Sequence, residues 1–296
     1  MNRRNFISKS ASALALGCMG QYAFSANPVS IKPNKGRIGI QLYSVKDELP
    51  KNFLGTLRKL SNIGYSAIEP YGFNGDKFFD YTMKELSNIV KEMGMTISGT
   101  HTGSGLLPED TNAKEWDFWK KCATSLYSGG GVWAIQAGFP GAKTIDDLKM
   151  IAAHFNRVGE VCIANGVKFA YHNHHAEFAK IDDVVIIDFL IENTDPKLVN
   201  FQFDMGHVMN GGGDCLHYLK KYPKRIPCWH ASDFNIDTRE YTELGKGSVP
   251  YPQMFDLAKS SGLECLTIEQ ETGGDIFSSC KADFDYLKQF KWAKVK

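Results

Sequence analysis

The sequence predicts an α/β fold, a single (β/α)8 barrel with eight parallel strands, on three observations. Eight short apolar runs alternate with stretches of helical periodicity. The repeat averages about 32 residues, since eight units occupy the 256 residues from Arg37 to Trp292. No glycine-rich dinucleotide turn follows the first run, which counts against an open doubly wound sheet. Strands joined by crossover helices run parallel, and eight such units close on themselves.

The runs are 37–44, 66–71, 95–101, 131–138, 167–174, 199–207, 225–233 and 265–271. Each is short, rich in β-branched or aromatic residues, and bounded by Gly, Asn or Pro. Between them, apolar residues return at helical spacing: Phe53, Leu57, Leu60 and Ile63; Leu86, Ile89, Val90 and Met93; Leu148, Ile151, Phe155, Val158 and Cys162. Gly64, Gly94, Gly166 and Gly262 follow such stretches and supply the left-handed residue that a helix exit needs.

Composition narrows the function classes. With 43% hydrophobic and 23% charged residues the chain is an ordinary globular one, which excludes disordered, collagen-like and coiled-coil sequences. The 34 Lys and Arg against 33 Asp and Glu give no electrostatic footprint for a nucleic acid or an anionic membrane, and homo-oligomerisation is left open. No C-x-x-C spacing occurs among the seven cysteines, so zinc ribbons and thioredoxin-type motifs are absent. Cys122, Cys162 and Cys228 lie in apolar runs and read as small buried hydrophobes.

Residues 1–30 read as a signal peptide and linker, with the catalytic domain at 37–296. Arg3-Arg4 is followed by Phe6, Lys9 and an uncharged stretch whose apolar heart, 11–19, is too short to span a bilayer. The pattern resembles a twin-arginine export signal, with cleavage near Ala23-Phe24-Ser25 and a periplasmic destination. Cys18 after Leu16-Gly17 is a rival lipidation site, although Leu is not at the usual place. Cleavage removes Arg3, Arg4 and Lys9 and no acid, so the mature charge falls from +1 to −2. Twin-arginine export carries folded proteins, which suits a metal loaded beforehand.

Barrel chemistry sits at the C-terminal ends of the strands, and the unusual polar residues fall there in turn. They are Gln41 and Tyr43, Glu69, His101, Gln136, then His172, Asn173, His174 and Glu177, then Asp204 and His207, His230 and Asp233, and finally Glu269 and Glu271. Six of the eight histidines belong to this end, whereas His154 and His217 fall in helical stretches. Alternation puts Ala170, His172 and His174 on one face and pairs Asp204 with Gln202. Imidazole and carboxylate groups converging without thiolate suit one divalent ion of intermediate hardness: Mn²⁺, Co²⁺ or Zn²⁺.

The motifs IGIQLYS, GYSAIEPYG, YHNHHAEF, FDMGH, HASD and TIEQE make the region 38–293 resemble the xylose-isomerase-like barrel superfamily. That superfamily includes sugar-phosphate isomerase/epimerases, ketose 3-epimerases, inosose dehydratases and endonuclease IV. The resemblance implies a ligand set drawn from strands five to eight, usually Glu, Asp, His and Glu. The last three match Asp204, His230 and Glu269. On the fifth strand the usual Glu-Asn-His is His172-Asn173-His174, which puts a neutral His172 in the glutamate's place, with His174 competing for it.

Such a site would abstract a proton next to a sugar carbonyl, with the metal stabilising the enediolate charge. Glu269 or Glu177 would take the proton, and His101, His207 and Glu69 would relay it or bind hydroxyls. His174, Gln41, Tyr43 and Asp233 complete the substrate-binding candidates, and Trp133, Tyr43 and Phe73 could offer a flat wall to a sugar ring. No phosphate-specific Lys/Arg cluster stands at the strand ends, so the expected substrate is an unphosphorylated sugar or keto-glycoside. Isomerisation or epimerisation is the preferred outcome, with a keto-glycoside lyase or dehydratase on the same site as the alternative. A non-catalytic carbohydrate-binding barrel is a third reading. A nuclease is disfavoured by the mature charge and by Glu69, where endonuclease IV has His.

Overall fold

The computed structural model describes residues 36–103, 113–272 and 274–294. Eight staves form the barrel: β1 Ile38–Gln41, β2 Ala67–Glu69, β3 in two segments Thr96–Ile97 and Gly99–Thr102, β4 Trp133–Gln136, β5 Lys168–His172, β6 Val199–Asp204, β7 Cys228–Ala231 and β8 Cys265–Ile268. Every pairing between them is parallel.

The hydrogen-bonded order begins and ends on β3, because its first segment pairs with β2 and its second with β4. Ser98 makes the turnover. Its N–H donates to the Ile68 carbonyl at 3.0 Å, while its own carbonyl accepts from Val132 N–H at 3.0 Å. Gly99 is required next to it: a Cβ there would lie 2.7 Å from the Trp133 carbonyl oxygen, and backbone cannot retreat as a side chain can.

Nine α-helices accompany the strands among the described residues: α1 Phe53–Ile63, α2 Met83–Glu92, α3 Ala113–Ser128, α4 Ile145–Ala164, α5 Ile186–Glu192, α6 Met205–Asn210, α7 Cys215–Lys221, α8 Tyr251–Ser261 and α9 Ile276–Leu287. Local chemistry sets their ends. Capping boxes, Thr82 with Glu85 and Thr144 with Asp147, start α2 and α4, and Gly262 leaves α8 in the left-handed conformation. Outward strand residues such as Phe169, Tyr171, Phe201 and Trp229 pack with Trp119, Leu148, Ile151 and Phe155 of the helices. Inside the barrel a separate cluster of Val132, Trp133, Ile135, Ala170, Cys228 and Cys265 fills the floor. The six cysteines of the described residues are free and buried.

Several predicted runs outlast their ladders at the C-terminal end. The chain turns into a 3-10 helix at Leu42–Val45. Residues 205–207 start α6 instead of extending β6, because the Asp204 side chain accepts the His207 N–H at 2.7 Å and caps a new helix. Asp233 belongs to a small hairpin, Asp233–Asn235 with Glu240–Thr242, beyond the end of β7. The proposed signal segment, with Cys18 and the cleavage region at 23–25, lies outside the described residues. No helix among the described residues is long and apolar enough to cross a membrane.

Candidate metal centre

Strands β5 to β8 each bring one donor to a common point at the C-terminal mouth. His172, Asp204, His230 and Glu269 are all buried, and each offers an atom within 4.8 Å of the others. The set is two imidazoles and two carboxylates. Asp204 shows which atom is free to bind: Oδ1 accepts from the Ser232 hydroxyl and His207 N–H, while Oδ2 is buried without a hydrogen-bond partner. A buried carboxylate oxygen with no donor is costly unless a cation takes it. The residues therefore fit a divalent ion of intermediate hardness. His172 stands in this ring. His174, the competing residue, points into the cavity above and joins a different trio with His172 and His207.

Beneath the ring lies a polar lattice that crosses the barrel. Glu69 is wholly buried, its Oε1 accepts from His230 Nε2 at 2.7 Å and Gln41 Nε2 at 2.9 Å, and His101 Nε2 lies 3.0 Å away. Its Oε2 accepts from Gln202 Nε2 at 3.0 Å. Gln202 Oε1 in turn lies 2.8 Å from His101 Nε2 and 3.1 Å from His172 Nδ1. Glu69 and Gln41, expected to meet the substrate, are thus enclosed: Gln41 has no exposed surface, and its Oε1 caps the 3-10 helix through Tyr43 N–H.

Charge within the lattice is mutually arranged. Burial works against a charged His230, but Glu69 and Glu269 on its two sides push it well above the usual imidazole range. Burial would raise Glu69, and the His230 and His101 rings hold it far below the carboxylate range instead. Glu269 is lowered as well, burial being outweighed by His230. His172 is held neutral, first by burial and then by the neighbouring rings of His101 and His230.

Other candidates sit further out. Glu177 has no exposed surface; its Oε1 accepts the Tyr171 phenol and the His174 N–H, and Tyr171 stacks on Phe155 on the helix side of β5. The carboxyl is therefore behind the wall, a correction to its expected place as a base facing substrate. Asp233 is likewise turned away: it accepts four backbone N–H groups, from Phe234, Gly245, Gly247 and Val249, and fastens the loop after the hairpin. His207 holds the Tyr241 hydroxyl on Nδ1, with Nε2 3.4 Å from Glu271.

Glu271, a strand-end residue to which the sequence assigns no role, clusters with Asp204 and His207. Burial and then the Asp204 and Glu269 charges push it up to about 8. The signal available in the sequence was its spacing of two from Glu269.

The cavity over this ring measures about 360 Å³. One side is aromatic, with Tyr43, Tyr71 and Phe73, and the other polar, with His101, His172, His174 and Glu269. Tyr43 stands 47% exposed at the mouth, edge-on to Tyr71 with centroids 5.2 Å apart. Trp133 is not part of the wall, since it lies in the barrel floor. Among the described residues no Lys or Arg lines the cavity.

Known proteins share this architecture. The model of the xylose isomerase-like TIM barrel matches residues 57–294. An inosose dehydratase from Geobacillus kaustophilus is 28% identical over 231 residues, 70% of this chain and 72% of that protein. One from Geobacillus thermodenitrificans is 29% identical over 138 residues, 41% of this chain and only 46% of that protein, so the match spans less than half of its length. A sugar phosphate isomerase/epimerase structure from Parabacteroides distasonis superposes with a TM-score of 0.78 at 27% identity, covering 87% of this chain and 96% of that one. With the match running from α1 through the last helix, and with sugar isomerases, epimerases and inosose dehydratases as its neighbours, the chain belongs to the xylose isomerase-like TIM barrels.

Proposed function

We propose that this protein is an exported, divalent-metal-dependent enzyme of the isomerase/epimerase type, acting by proton removal next to the carbonyl of an unphosphorylated sugar or keto-glycoside. The observation that carries the reading is the ring of His172, Asp204, His230 and Glu269 beneath a cavity with one aromatic and one polar side. Residues 1–30 would act as the export signal and linker, and 37–296 as the catalytic domain.

His172, Asp204, His230 and Glu269 would hold the metal, Mn²⁺, Co²⁺ or Zn²⁺. When bound, such an ion supplies Lewis-acid stabilisation of charge developing on a carbonyl oxygen. The chain's own groups do the rest. Tyr43, Tyr71 and Phe73 cover an apolar sugar face, while His101 and His174 meet hydroxyls from the polar side. Glu269 or Glu271, the carboxylates that follow the eighth strand, takes the proton from the carbon beside the carbonyl. His207, held by Tyr241, can pass that proton to or from Glu271. A cavity lined, among the described residues, by no lysine or arginine favours a neutral substrate over a phosphate ester.

A second reading uses the same first step. The curated relatives named inosose dehydratase favour loss of a neighbouring hydroxyl after proton removal, a lyase outcome. The test is metal analysis of the purified protein combined with solvent-deuterium incorporation into keto-sugars and keto-glycosides. Retained metal with exchange at the carbon beside the carbonyl is expected, and loss of water or of the aglycone would mark the lyase. Sugar binding with neither metal nor exchange would overturn both in favour of a binding barrel.

A further inference from the structure

We propose that Glu69 is the positioning residue of this centre: one buried carboxylate that dictates which nitrogen His230 and His172 each turn towards a cation. The inference rests on reading the four-residue ring as a cation site. It reaches past the ring to a residue on a different strand that touches neither cation nor substrate.

The argument follows from donor and acceptor roles. An ionised carboxylate only accepts, so every polar atom facing Glu69 must donate. His230 Nε2, 2.7 Å from Glu69 Oε1, therefore carries its hydrogen. The nitrogen left to face the ring is Nδ1, which lies 2.9 Å from Glu269 Oε2. This is a carboxylate–imidazole pair of the kind that orients metal-binding histidines.

The second ligand is set one bond further away. Gln202 must present its amide nitrogen to Glu69 Oε2, 3.0 Å distant, so its oxygen faces the opposite way. That oxygen meets His172 Nδ1 at 3.1 Å and obliges it to be the protonated nitrogen. His172 Nε2 then keeps its lone pair on the side of Glu269, 3.9 Å from Oε2. Flipping the Gln202 amide would set two acceptors against each other at Glu69 and offer His172 Nδ1 a donor, moving its hydrogen to Nε2. A neutral imidazole has one lone pair only, so the wrong tautomer points N–H at the cation. Gln41 completes the set of donors around Glu69, and the His101 ring, 3.0 Å away, closes it in.

The experiment uses the isosteric substitution Glu69→Gln, read in two ways. Metal-free protein labelled with ¹⁵N-histidine reports the tautomer of His172 by NMR, and chelator competition with Mn²⁺ or Co²⁺ reports affinity. In the parent protein His172 should carry its hydrogen on Nδ1. In Glu69→Gln, a population with the hydrogen on Nε2 should appear, and affinity should fall about 10–100-fold. The double swap Glu69→Gln with Gln202→Glu restores an acceptor for His172 Nδ1 and should return that tautomer with part of the affinity. Melting temperatures report folding, and the swap carries the test should the single variant unfold.

Unchanged tautomers in Glu69→Gln overturn the proposal, as does an affinity loss with no tautomer change and no recovery in the swap. A parent protein that binds neither ion sinks the cation reading instead, while the tautomer measurement still decides the role of Glu69.

Discussion

Replacing Asp204 by Asn exchanges one oxygen for nitrogen and separates fold from metal more cleanly than any truncation. Oδ1 accepts from His207 N–H at 2.7 Å and from the Ser232 hydroxyl, and an amide oxygen can keep both contacts. The exchanged atom is then Oδ2, which has no partner in the protein. Losing charge from the two retained hydrogen bonds should cost on the order of 1 kcal/mol in metal-free protein. Relief of repulsion with Glu269 and Glu271 offsets part of it.

The effect with metal is larger. Apparent binding energies of about 10–16 kcal/mol for four-ligand zinc sites suggest about 2.5–4 kcal/mol per ligand, or a ~10²–10³-fold weaker site. At a metal concentration about 1,000 times the parent Kd, metal stabilises the parent by about 4.1 kcal/mol; a variant binding ~10³-fold more weakly keeps only about 0.4 kcal/mol. Denaturant unfolding with Mn²⁺ or Co²⁺ and with chelator measures both numbers, and metal analysis checks retention. A variant with the full metal-induced shift would remove Asp204 from the ligand set. Destabilisation of about 3 kcal/mol or more in chelator would show that the side chain serves the core instead.

Three further substitutions divide the remaining roles. His172→Ala should lose metal at about the level of Asp204→Asn. His174→Ala should retain it and raise KM, because its ring lines the cavity outside the four-donor ring; metal content and steady-state kinetics decide, and the reverse pattern would make His174 the fifth-strand ligand. Asp233→Asn leaves one oxygen for four backbone N–H groups, two of which (Gly245 and Gly247) lose their acceptor. Stability should fall by about 2–4 kcal/mol with metal affinity unchanged, as a melt and a chelator titration would show.

The barrel was legible because its signals are local. The spacing of Phe53, Leu57 and Leu60 marks a helix whatever it packs against, and eight alternating runs leave few ways to connect parallel strands. Strand end and parity bring His172, Asp204, His230 and Glu269 to one rim, and the resemblance singled these four out from the other polar residues there. The same parity rule failed where strands stopped early. Asp204 caps a helix at its own position, so His207 leaves the strand, and Asp233 turns into a hairpin to collect N–H groups. Glu177 was misplaced for a related reason: its partner is the outward-facing Tyr171, on the side of the wall away from substrate.

The sequence by itself determined the number of units and the gathering of imidazole and carboxylate groups at one end of the strands, both of which depend on neighbours a few residues away. Only the tertiary structure decided that Glu69 lies under the ring and not in the cavity, and that Gln202 stands between it and His172. Those contacts join residues 133 and 30 positions apart. They exist because closing the barrel presses polar side chains from opposite staves into a space shut off from solvent, where every donor must find an acceptor.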